Sequence, residues 1–184
     1  MSIQKNCLMR RLDCKIFKMS SKTYLTYLAG AFCPYQKGGK IYEDWRDFVI
    51  ENTNNKKIKF YDPRVDSRQL CPATFTIDDA IGVLKSDVLL HYRTRGYEDE
   101  GASWEHGIAF ATNLINQKVK TGFPNKLIVY VDDTRAVWTL NFSSANINFS
   151  ALETAVNFLN NIDSLKKSDW VKIYMEIINK DRRD

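Results

Sequence analysis

Asp87-Val88-Leu89-Leu90-His91-Tyr92, running on through Arg93-Thr94-Arg95-Gly96-Tyr97-Glu98-Asp99-Glu100-Gly101-Ala102-Ser103-Trp104-Glu105-His106-Gly107-Ile108-Ala109, is the stretch on which the fold turns. The first part reads as a buried strand, short, apolar and bounded by polar residues. The second part packs acids around a glycine turn and then places Glu105 at the start of a helix. Ile108 and Ala109 follow Glu105 at i+3 and i+4, which puts its carboxylate on the face that looks into the protein. Carboxylates are rarely buried without a partner or a task.

Working outward, the same alternation recurs on both sides. Residues 23–29 (TYLTYLA), rich in aromatic and β-branched side chains, predict a first strand ending at Gly30, and a Gln36-Lys37-Gly38-Gly39-Lys40 loop follows. Trp45, Phe48 and Val49 give helical spacing over 42–50. Ile58–Tyr61 predicts a second strand stopped by Asp62-Pro63. Thr76-Ile77-Asp78-Asp79 opens a helix to about Lys85, and the helix after the acidic turn extends to about Asn116. Residues 126–131 (KLIVYV) predict a fourth strand, 146–149 a short fifth, and 150–161 and 170–178 two further helices. Strands alternating with helices imply an α/β fold, a parallel sheet with helices on both faces. Ligands of such sheets bind beyond the carboxyl ends of the strands, where the acidic loop lies.

At 184 residues, with 44% apolar and 27% charged side chains, the chain has the composition of one soluble globular domain. Its net charge of +5 is localised. Residues 1–22 hold six basic residues against Asp13, which leaves 21 basic and 21 acidic residues in the remainder. The body therefore has no electrostatic footprint for nucleic acid. The leader is expected to be a disordered extension, with an organellar transit peptide or a start at Met19 as alternatives. Residues 23–184 are then the folded domain. Cys7, Cys14, Cys33 and Cys71 form no Cys-x-x-Cys pair, and there are only two histidines, so no metal site is expected. Reduced thiols and the lack of a long apolar run suit a cytoplasmic protein that does not enter the membrane.

Four residues are candidates for chemistry. Glu105 is a nucleophile kept ionised by the helix dipole, or simply a helix-start glutamate favoured by that dipole. Asp99 is a catalytic acid or a cap bonding backbone N–H groups. Asp79 stands at N3 to Thr76, which suits capping, and also starts a helix at the carboxyl edge of the sheet. Tyr27, near the end of the first strand, is core packing or a hydroxyl donor to the nucleophile. Phe32 and Trp104 offer aromatic surface for a planar base or pack in the core. Gly30 and Gly101 stand where backbone approaches a ligand or merely turns.

With these residues in hand, the chain resembles the nucleoside 2-deoxyribosyltransferase family. The resemblance covers about residues 23–162 and rests on three stretches. They are Tyr27-Leu28-Ala29-Gly30, then Asp79 through Ser86-Asp87-Val88-Leu89-Leu90, and an Asp-x-Gly-x-x-x-Glu-x-Gly-x-Ala signature at Asp99, Gly101, Glu105, Gly107 and Ala109. It implies a flavodoxin-like (Rossmann-like) five-stranded sheet of order 2-1-3-4-5. It also implies an enzyme that transfers 2-deoxyribose between nucleobases through a covalent glycosyl-glutamate, without a cofactor. Glu105 would be the nucleophile, Tyr27 would orient it, and Asp79 and Asp99 would bind the base and handle its proton. Partners would be a nucleoside, a free nucleobase and further copies of the chain, as a dimer or hexamer. Asn141 matches an asparagine that reaches the sugar hydroxyls from a neighbouring subunit, although Ser143 stands where a hydrophobe is expected.

Two other readings share these residues. Related deoxynucleoside monophosphate N-glycosidases hydrolyse the same bond and carry a Gly-Ser-Ile-Arg-Gly-Gly-like phosphate loop. Here that loop is Gly30-Ala31-Phe32-Cys33-Pro34-Tyr35, which favours an unphosphorylated nucleoside, while Lys37, Lys40, Arg64 and Arg68 keep the monophosphate open. A non-catalytic nucleotide-binding module would use the acids only to read ribose hydroxyls.

Overall fold

The computed structural model describes residues 23–97, 99–134 and 140–163. The basic leader and the helix expected over 170–178 lie outside the described residues. In chain order the elements are β1 (Tyr24–Ala29), β2 (Tyr35–Lys37), β3 (Lys40–Tyr42), α1 (Trp45–Asn52), β4 (Ile58–Tyr61) and α2 (Pro63–Asp66). They continue with α3 (Pro72–Lys85), β5 (Val88–Arg93), α4 (Glu100–Asn116), β6 (Leu127–Asp132), α5 (Leu140–Ser144), β7 (Ile147–Phe149) and α6 (Leu152–Asn160).

The main sheet is five-stranded and parallel, in the order β4-β1-β5-β6-β7. Counting only its own strands, that is 2-1-3-4-5, the flavodoxin-like order. Leu28 pairs with Leu90 and Leu90 with Val129, and all three belong to a core that includes Trp45, Phe48, Leu152 and Phe158. The intervening residues Tyr27, Leu89 and Ile128 face the other way, into a smaller cluster with Val83, Ala102 and Ala109. Period-two alternation along each strand thus divides the apolar residues between α1 and α6 on one side and α3 and α4 on the other.

Three sequence expectations are corrected. The segment around Gly38-Gly39 is a two-stranded antiparallel hairpin, β2–β3, rather than a loop. The helix expected to open at Thr76 begins at Pro72, with Cys71 as N-cap and the Thr74 side chain accepting from the Cys71 N–H, so Asp79 lies mid-helix and caps nothing. The helix bearing Glu105 begins at Glu100 with Asp99 as its cap, so Glu105 sits in the second turn rather than at the start.

Two local devices hold the sheet edges in place, Gly30 at the carboxyl edge and Lys126 at the amino edge, just before β6. Gly30 ends β1 at φ 151°, where a Cβ would lie 2.6 Å from the Tyr92 carbonyl oxygen, so a side chain is excluded there. Lys126, almost wholly buried, donates its ammonium to the carbonyls of Leu84 and Ser86, both at 2.5 Å. These are acceptors that the end of α3 would otherwise leave open, and a cation is favoured there.

Candidate active site

Tyr27 is the point where four elements meet. It lies on β1, is fully buried, and its hydroxyl donates to Glu105 Oε1 of α4 at 2.6 Å. Its ring stacks on Tyr61 of β4, with centroids 5.1 Å apart and planes at 17°. Helix α3 crosses this pair at Gly82, where a Cβ would come within 2.7 Å of the Tyr61 ring and 2.9 Å of the Tyr27 ring. Only a glycine lets α3 approach closely enough to bring Asp79, three residues earlier, beside the tyrosine hydroxyl.

Glu105 is 7% exposed, in keeping with the inward face set by Ile108 and Ala109. Burial pushes its carboxyl up to about 8, and the charges of Asp79 and Asp99 push the same way. The Tyr27 hydrogen bond and, more weakly, the Arg46 charge oppose them. The dipole argument for an ionised Glu105 therefore fails, because the residue sits beyond the first turn and desolvation dominates. Burial also drives the Tyr27 hydroxyl far above its ordinary range, so it remains a proton donor throughout the working pH range.

Asp79 is mostly buried and accepts a short hydrogen bond from Ser67 Oγ. Burial raises its pKa, against the Ser67 and Tyr27 hydroxyls that favour the charged form. Its neighbour Asp78 faces outward and pairs with Arg68, at 2.7 Å. Asp99 uses Oδ1 to cap the Gly101 N–H at 2.8 Å, so Gly101 serves the helix start. The Asp99 charge nevertheless bears on Glu105, and among the described residues its second oxygen accepts no hydrogen bond. Glu105, Asp79, Asp99 and Tyr27 are thus brought together.

The aromatic candidates are not part of this group. Trp104 is 46% exposed on the outer side of α4, and Phe32 is 63% exposed with the Arg46 guanidinium 5.1 Å from its ring centroid. Gly30 belongs to the strand end and accepts from Arg46. Asn141 lies on α5 and donates to Ser103 Oγ of α4 at 3.0 Å, within its own chain.

Sequence reasoning missed two groups. Arg46 is buried and ties down the β1 terminus. Its guanidinium donates to the carbonyls of Leu28 and Gly30 and to both oxygens of Asp44. Tryptophan and arginine adjacent at a helix start give no hint of this, because sequence does not report that an arginine is buried. The second group is a pair of buried histidines, His91 and His106, with Nδ1 atoms 3.1 Å apart. Their separation by 15 positions hides a contact that only the strand-to-helix return creates. Among the described residues no group of three or more His, Cys, Asp or Glu is arranged to hold a metal ion. Nor is any helix there long and apolar enough to cross a membrane.

Chemically, Tyr27 occupies one carboxylate oxygen of Glu105, and among the described residues no hydrogen bond reaches the other. Among the described residues no lysine or arginine forms an ion pair with Glu105. An electron-poor carbon brought into the group would meet concentrated negative potential, and its positive charge would favour loss of the Glu105 proton.

No protein-family profile matches the chain, and no curated protein matches it. The solved structures similar to it include these two. One is a 2-deoxyribosyltransferase from the psychrotolerant bacterium Bacillus psychrosaccharolyticus, 14% identical, covering 79% of this chain and 95% of its own, with a TM-score of 0.48. The other is a conserved protein from Enterococcus faecalis V583, 18% identical, covering 76% of this chain and 87% of its own, with a TM-score of 0.41.

Proposed function

We propose that this protein transfers 2-deoxyribose between nucleobases, with Glu105 as the covalent nucleophile. The observation that carries the reading is the buried Glu105 carboxylate, held by the Tyr27 hydroxyl at 2.6 Å and unpaired with any described cation. Such a group is costly to bury and suited to stabilising an oxocarbenium-like centre. In its ionised form Glu105 attacks C1′ through its free oxygen, the C–N bond breaks, and its electron pair leaves with the base. Asp79, whose burial favours the protonated form, and Asp99 bind the base and exchange its proton. A second base attacks C1′ of the glycosyl-enzyme, and the Glu105 carboxylate is released with retention of configuration. A 2-deoxy sugar suits this route because no electron-withdrawing hydroxyl stands beside the reacting carbon.

The partners are a nucleoside and a free base, with Asn141 reading the sugar hydroxyls. Exposed Ile77 and Ile81, one turn apart on α3, and exposed Trp104 and Ile115 on α4 offer apolar contacts for a second copy of the chain. The free thiols of Cys33 and Cys71 fit a cytoplasmic setting.

Incubation with deoxyinosine, with and without adenine, tests the reading. Deoxyadenosine formed only when adenine is present supports transfer. Hypoxanthine and free deoxyribose without an acceptor make the protein a hydrolase, and binding without turnover makes it a nucleotide-binding module. Mass spectrometry of protein quenched during turnover should show a deoxyribosyl adduct on the peptide containing Glu105, and its consistent absence overturns the mechanism.

A further inference from the structure

Beyond the carboxylate group, the same side of the sheet holds a second buried polar assembly. His91 on β5 and His106 on α4 are 2% and 1% exposed, and both rings lie edge-on to Tyr130 of β6. His91 Nδ1 is 3.1 Å from His106 Nδ1, and His106 Nε2 is 2.9 Å from Ser144 Oγ at the end of α5. The Ser144 hydroxyl in turn lies 2.6 Å from the Leu140 carbonyl, one helical turn back.

The protons in this chain can be placed by counting donors. Ser144 has one hydroxyl hydrogen, and the carbonyl of Leu140 can only accept, so that hydrogen is used there. Ser144 Oγ must then accept from His106, which puts the His106 proton on Nε2. His106 Nδ1 is left as an acceptor, so His91 carries its proton on Nδ1. Burial keeps both rings neutral. It depresses His106 to about 4, and it holds His91 well below the usual range, with the His106 and Arg93 charges acting in the same direction. A charged His106 would break the sequence, because an imidazolium has no acceptor nitrogen to receive the His91 proton.

We propose that His91, His106 and Ser144 form a one-directional donor chain that clamps α5, and with it Asn141, against the helix carrying Glu105. His106 and Ser144 are thereby positioning residues for the sugar-binding asparagine. The functional part of this inference rests on the transfer reading given above. The clamp stands on its own geometry. It has a short lever, since α5 spans only Leu140–Ser144 and Asn141 is its second residue. The Asn141 bond to Ser103 Oγ is a second tie between the same two helices.

With only two histidines in the chain, long-range 1H–15N correlation resolves all four ring nitrogens. At pH 7 the expected pattern is a protonated Nδ1 on His91 and a protonated Nε2 on His106. Ser144→Ala should shift the His106 Nε2 resonance and speed amide exchange in α5 at least tenfold, and Ser144→Thr, which keeps the hydroxyl, should restore both. In turnover, Ser144→Ala should raise KM for the nucleoside several-fold with a much smaller change in kcat. The Asn141→Ala/Ser144→Ala double variant should be no worse than Asn141→Ala, since the two act in series. A His106 proton on Nδ1, unchanged α5 exchange in Ser144→Ala, or additive effects in the double variant overturns the clamp. The ring and exchange measurements need no substrate, so they judge the clamp even where a lack of turnover has sunk the transferase reading.

Discussion

Leu89 and Leu90 are neighbours on β5, yet they serve different halves of the protein. Leu90 enters the large core beneath α1 and α6, where aromatic and aliphatic side chains close around Trp45 and Phe158. Leu89 enters the smaller cluster beneath α3 and α4, which shares its side of the sheet with Glu105, Asp79, His91 and His106. One face spends its burial mainly on apolar contacts, each fully buried large side chain contributing roughly 1.5–3 kcal/mol, with the buried Arg46–Asp44 pair at its carboxyl edge. The other buries ionisable groups that oppose folding unless satisfied. On the proposed reading, stability and chemistry are carried largely by opposite faces of one sheet and should respond separately to mutation.

The largest effect that tests this separation is on rate. Glu105→Ala should lower deoxyribosyl transfer by at least about 10³-fold while leaving the melting temperature equal to or above that of the parent chain. Wild-type turnover in this variant would remove Glu105 from the mechanism. The converse experiment is Leu90→Ala. Truncation of a fully buried leucine should destabilise by about 2–5 kcal/mol, measured by urea unfolding, with turnover per folded molecule unchanged. A large loss of turnover in the folded fraction would show that the two faces are coupled.

A third measurement asks whether the Glu105 carboxylate costs stability. Its folded carboxyl titrates at about 8, whereas the unfolded group titrates near the ordinary glutamate value. Between those values the folded state binds more protons, so this group's contribution to stability falls as pH rises. Glu105→Gln removes the ionisation and keeps an acceptor for Tyr27. It should be more stable than the parent at pH 8 by on the order of 2 kcal/mol, with the advantage shrinking toward pH 5. The activity of the parent should run the other way, with kcat/KM climbing through about pH 8 as the nucleophile ionises. An equal stability difference at both pH values would contradict the raised carboxyl.

Much of this division was legible from the residues alone. The runs at 87–92 and 126–131 read as strands because a parallel sheet covered on both faces needs no polar alternation. Glu105 read as inward because helical spacing fixes its face relative to Ile108 and Ala109, whatever the helix start. What failed was punctuation. Cys71 is a weak cap by type, so Thr76 drew the helix start away from Pro72, although proline at the first helical position was a usable signal. Gly38-Gly39 between short β-prone segments was likewise a hairpin signature read as a loop. The Arg46 cluster and the histidine pair were invisible for a different reason. Burial of a charged or polar side chain depends on partners brought from other elements, and a one-dimensional pattern does not name them.

The smallest effect is the most specific to the site. Tyr27→Phe keeps the ring, and so keeps the stack on Tyr61 and the close approach of Gly82, but removes the hydroxyl that donates to Glu105. Because that hydrogen bond favours the charged form, its loss moves the Glu105 carboxyl further up. A hydrogen bond of about 1 kcal/mol corresponds to a rate loss of roughly three- to tenfold at pH 7. The loss should narrow as the pH rises and the carboxylate reforms. The signature is therefore a displaced acid limb in the kcat/KM profile rather than a uniform drop. A parallel drop at every pH would mean that Tyr27 places Glu105 without tuning it. No change at all would return Tyr27 to the core and leave the carboxylate face with one residue fewer to distinguish it from the other.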